Sequence, residues 1–118
     1  MAGVALRKIL FVMEHHIHII CSGASVRIDG LPGGQDSLKL PEPILRGIQM
    51  IWSLVEARVE NADCICIGGI GYTGMNPAIC AFDIWVQAGE NGCYLPMDVA
   101  AKLFCQNGIP YFHSPFMS

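Results

Sequence analysis

The chain has 118 residues, 53% of them hydrophobic and only 14% charged, with a formal net charge of −3. This length suits a single domain, residues 1–118, and is too short for two separate cores. No cluster of Lys and Arg occurs, and Lys102 alone follows Arg58, which excludes non-specific binding of duplex nucleic acid; the apolar surplus over what a small monomer can hide predicts a homo-oligomer.

Residues 1–7 read as a loose N-terminal extension. The apolar run before Glu14 is short and no small-residue cleavage site follows it, which argues against a signal peptide. Residues 8–21, rich in Ile, Val, Phe and His, predict one long strand or two short ones. Within them His16 and His18 fall on one strand face beside Glu14. Two imidazoles at that spacing can hold a metal, with His113 or Asp83 as a third ligand, or can simply face solvent. The spacing identifies neither a metal nor any other cofactor.

Ser25–Asp29 predicts a second short strand. The segment Cys21-Ser-Gly-Ala-Ser-Val-Arg27 has C-x5-R spacing, in which backbone amides can wrap a phosphate while Arg27 clamps it and the Cys21 thiolate attacks. This form resembles the loop of the low-molecular-weight tyrosine phosphatases, and the resemblance implies a cysteine-dependent phosphatase using Cys21 and Arg27. A buried cysteine at a strand end is the other reading. Gly30 to Ser37 reads as a loop, and the stretch to Pro43 can cover a site.

Pro43 to Glu60 carries the clearest helical pattern: Ile44, Leu45, Ile48, Ile51, Trp52, Val55 and Val59 form one stripe, and Pro43 suits the first turn. Asp63-Cys-Ile-Cys-Ile67 predicts a strand buried on both faces. Asn76-Pro77 reads as a capped helix start, with the helix running to about Ala88. Pro96 to Gln106 predicts another helix, and Ile109 to His113 a last strand near an edge.

The resulting order, β-β-α-β-α-α-β, predicts an α/β fold with a mainly parallel twisted sheet and helices on both faces. In such sheets ligands bind at the carboxyl ends of the strands, here Cys21–Ser25, Gly68–Gly74 and His113–Pro115.

Two motifs sit near that edge. Gly69-Ile-Gly-Tyr-Thr-Gly74 matches G-x-G-x-x-G between a strand and a helix start, so Gly69, Gly71, Thr73, Gly74 and Asn76 are candidates to contact a phosphate. The same glycines also suit a plain turn leaving the sheet. Asp83 is a lone carboxylate in an apolar run, which makes it a candidate catalytic group or a structural hydrogen-bond acceptor. Ala81-Phe-Asp-Ile84 after the glycine loop resembles the nucleoside deoxyribosyltransferase pattern, which implies a helix acid, Asp83, attacking a sugar.

Residues 64–82 carry no charge, but four glycines, Asn76 and Pro77 interrupt them, which argues against a transmembrane span. Cysteines at 21, 64, 66, 80, 93 and 105, mostly in apolar segments, fit a reducing, cytoplasmic compartment. Together these features predict a small protein that binds a phosphorylated or nucleotide-like ligand at the sheet edge, with Asp83 and His16 as catalytic candidates and Cys21 and Arg27 among the ligand-binding ones. A non-enzymatic homo-oligomeric module and the cysteine phosphatase are the alternatives.

Overall fold

The computed structural model describes residues 13–31, 40–73 and 78–112. In β1 (Met13–Ser22) Ile17, Ile19 and Cys21 are buried while His16 and His18 are exposed. That period of two marks a strand covered on one face. Gly23 and Ala24 turn the chain into β2 (Ser25–Asp29), with Gly23 at φ 62° as a two-residue type II′ hairpin requires at its first loop position.

The amphipathic stripe then forms α1 (Glu42–Glu56), which has a proline in its first turn and buries Ile48, Ile51, Trp52 and Val55. β3 (Cys64–Thr73) pairs with β1, and β4 (Ala78–Ala88) pairs with β3. A second hairpin, with Gly89 at φ 61°, leads into β5 (Asn91–Tyr94). α2 (Met97–Gln106) follows and buries Ala100 and Phe104.

Among the described residues the sheet has five strands in the order β2-β1-β3-β4-β5, every neighbouring pair antiparallel. The inward residues of β1, β2, β3 and β4 share one core cluster with α1 and α2. Both helices therefore cover the same sheet face, and among the described residues no helix covers the opposite one.

This corrects the expected mainly parallel sheet with helices on both faces. The discrepancy lies in residues 78–88, read as a helix and observed as β4. That stretch is apolar on both sides, so its period is ambiguous in sequence. A β-bulge resolves it: Gly68 pairs with Asp83 and Gly69 with Ala81, which leaves Phe82 as the extra residue. Ile79, Ala81, Ile84 and Val86 then face the core. Without a crossover helix, β3 and β4 lie side by side, Tyr72 opposite Ala78.

Three smaller differences follow. The helix expected to reach Glu60 ends at Glu56 and continues as a turn, with Val59 N–H donating to the Val55 carbonyl at 2.8 Å and Asn61 left-handed at φ 61°. The expected last strand contributes a single parallel bridge, Tyr111 beside Ala81. Ala81 N–H donates to the Pro110 carbonyl and Phe112 N–H to the Ala81 carbonyl, both at 2.8 Å. The proposed extension at residues 1–7, most of the loop after Gly30, the helix cap at Asn76-Pro77 and the segment from His113 lie outside the described residues.

Candidate functional site

The face of the sheet opposite α1 and α2 gathers the polar side chains. β1 sends His16 and His18 to it, β2 sends Arg27 and Asp29, and β3 sends Cys64, Cys66 and the bare backbone of Gly68. His18 lies opposite Asp29 on one side and Gly68 on the other, and Gly68 in turn lies opposite Asp83. A side chain at 68 would separate His18 from Asp83. With none there, the Asp83 carboxylate leans over the glycine, its Oδ1 2.6 Å from where a Cβ would stand.

The result is a cleft of about 310 Å³ lined by His18, Cys66, Gly68, Asp83, Trp85 and Tyr94. Its aromatic wall is held from three directions. The Trp85 indole N–H donates to Gln87 Oε1 at 2.9 Å, and Gln87 Nε2 donates to the Gly89 carbonyl at 2.8 Å. The Tyr94 ring meets the indole edge-on, with centroids 4.8 Å apart at 79°. Gly92 provides the space for the indole, because a Cβ there would collide with the Trp85 ring. Tyr94 remains 61% exposed, so the wall opens to solvent.

On the opposite wall Cys66 Sγ lies 3.6 Å from His18 Nδ1. Burial pushes the Cys66 thiol above its ordinary range, and the neighbouring Cys64, Asp83 and Asp29 push it further. At neutral pH the sulfur is thus a thiol within hydrogen-bond reach of Nδ1, and the imidazole tautomer decides which of the two donates. Asp83 and Asp29, the latter paired with Arg27, both disfavour a negative charge on the sulfur. Such a cleft suits N–H and O–H donors better than a bare anion.

The other sequence candidates are distributed differently. His16 shares the open face with His18, two residues apart on β1. Among the described residues, no three His, Cys, Asp or Glu side chains converge on a metal position. His113, the third ligand considered, lies outside the described residues.

Cys21 and Arg27 point to opposite faces. Cys21 is in the core, its thiol pushed up to about 11 by burial, with Cys64 adding to the shift. Arg27 is exposed on the far side and paired with Asp29 at 3.3 Å. The C-x5-R segment spans a hairpin here, and the structure does not bring its thiol and guanidinium together.

Gly69 and Gly71 are buried strand residues on the helix-covered side of β3. At Gly69 an added Cβ would lie 2.5 Å from the Cys80 carbonyl oxygen, so this glycine permits close strand approach. Thr73 ends β3 opposite Met13. Its side chain, with Gly74 and Asn76, lies outside the described residues.

Cys66, Gly68, Trp85 and Tyr94 were not among the candidates read from the sequence. The signals for them are present but short. Cys64, Cys66 and Gly68 alternate with Ile65 and Ile67, and Gly89-Glu90 is a two-residue hairpin loop that carries Tyr94 back beside Trp85. Compared with protein-family models, curated proteins and solved structures, the chain matches none.

Proposed function

We propose that the cleft over Gly68 binds a nucleoside-like ligand, its planar base against Trp85 and its N–H and O–H groups donating to Asp83. The observation that carries this reading is the meeting of a carboxylate, an imidazole and a pinned indole over one side-chain-free position. Aromatic faces stack on any base, and a carboxylate accepts hydrogen bonds from exocyclic amines and sugar hydroxyls. The volume fits the lower range of small-ligand sites. A phosphate on such a ligand extends away from Asp29 and Asp83 into solvent. Asp83 is also the group suited to act on the glycosidic bond, as nucleophile or general acid/base. Six free thiols favour a reducing, cytoplasmic setting for this activity.

The test is titration with adenosine, guanosine, cytidine and uridine and their 5′-monophosphates, followed by Trp fluorescence and calorimetry. Saturable quenching lost in Asp83→Asn and in Trp85→Ala supports the reading, and product release that stops with Asp83→Asn supports chemistry. Absence of binding across the panel, or binding untouched by both substitutions, overturns it.

A second reading has the same face packed on another copy of the chain, favoured by the half-buried Ile20, Ile70 and Trp85 on it. Analytical ultracentrifugation separates the two, because Trp85→Ala then dissociates the assembly instead of abolishing ligand binding.

A further inference from the structure

A second groove lies on the helical side, away from the Gly68 cleft. Leu54, Val55, Arg58 and Val59, from the end of α1 and the turn after it, form one wall. Val99, Lys102, Leu103 and Gln106 of α2 form the other, over Leu95, and the groove has a volume of about 420 Å³. Leu54 is 38% and Val99 41% exposed, so its rim is apolar and open to solvent. The lining residues on α2 recur at i, i+3, i+4 and i+7, one face of a helix with no third helix against it in the described structure.

The charges on this groove are all of one sign. Arg58 and Lys102 line it, no carboxylate does, and neither cation forms an ion pair among the described residues, where the pairs are Arg27–Asp29 and Arg46–Glu42. Arg58 and Lys102 thus place two positive charges beside an apolar trench in a chain of net charge −3.

The geometry points to a docking site for an acidic amphipathic helix of a partner protein, its apolar stripe laid between α1 and α2 and its flanking carboxylates meeting Arg58 and Lys102. An acyl chain fits less well, because the trench is open along its rim. The chain's own first 12 residues bring only Arg7 and Lys8 as charges, the wrong sign for this groove.

The probe is a synthetic amphipathic helix with Leu at i, i+3, i+4 and i+7 and Glu on both flanks, paired with a twin carrying Lys in place of Glu. Binding is read by fluorescence anisotropy at low and high salt. The Glu peptide binds saturably and roughly tenfold more tightly than the Lys twin, and salt weakens it. Arg58→Glu with Lys102→Glu reverses that order, and Val99→Asp or Leu54→Asp weakens both peptides. All four positions are exposed, so circular dichroism of the variants stays that of the parent. Equal binding of the twins, or preference unchanged by the charge reversal, overturns the proposal. So does concentration-dependent self-association that Lys102→Glu abolishes, which would give the groove to a second copy.

Discussion

Gly68 and Gly69 are neighbours in sequence, and the structure makes opposite demands of them. Alanine at 69 places its Cβ 2.5 Å from the Cys80 carbonyl oxygen and 3.0 Å from Ala81 Cα, both backbone atoms of the paired strand β4. Ordinary contact begins at 3.4 Å, so β3 and β4 must separate by most of an ångström next to their bulge. Overpacking of this kind costs about 1–3 kcal/mol, and each ladder hydrogen bond weakened adds about 1 kcal/mol. Removing a strand glycine returns roughly 0.5–1 kcal/mol. The net for Gly69→Ala is a loss of about 2–3 kcal/mol, or a Tm drop of roughly 10 °C for a domain of this size.

For alanine at 68 the three nearest atoms all belong to the Asp83 carboxylate, the end of a side chain on the open face that can rotate into solvent. Its stability therefore stays within about 1 kcal/mol of the parent, while the cleft loses both its floor and the position of Asp83. Urea unfolding followed by circular dichroism measures both variants, and titration with the nucleoside panel measures the second effect. Two results would refute the reasoning: Gly68→Ala as damaging to stability as Gly69→Ala, or Gly69→Ala as stable as the parent.

Three further outcomes are expected. Cys21 keeps its proton in the fold until about pH 11, against 9.0 for a free thiol, so ionisation favours the unfolded chain; stability is level below pH 9 and falls between 9 and 11, more steeply in the parent than in Cys21→Ala, and a pH series of urea midpoints with identical slopes would contradict this. Phe104, fully buried between α2 and the sheet, should lose about 3–5 kcal/mol on replacement by Ala, read from the same urea midpoints. Asp63 Oδ2 accepts the Gly89 N–H at 2.6 Å and closes the β4–β5 hairpin, so Asp63→Ala should cost about 1 kcal/mol and raise hydrogen exchange at that amide, while Asp63→Asn, which keeps an acceptor, costs less.

The stripe from Ile44 to Val55, the alternation around Ile17 and Ile19, and the helix after Pro96 could all be read from residue order alone, because each follows a single period over enough residues. Asp83 stood out for a similar local reason, a lone carboxylate in an apolar run. Its setting did not. Residues 78–88 bear apolar groups on every side, and local periodicity cannot distinguish a helix from a strand there. Pairing with β3 decided it, and with that strand went the parallel sheet and the second helical layer. The cleft itself depends on register: a bulge at Phe82 aligns Asp83 with Gly68, the Gly89 hairpin returns Tyr94 to Trp85, and pairing of β3 with β1 sets His18 across from Gly68. Side chains from β1, β3, β4 and β5 meet only once hydrogen bonds between distant segments fix their offsets, and no nearest-neighbour preference encodes those offsets.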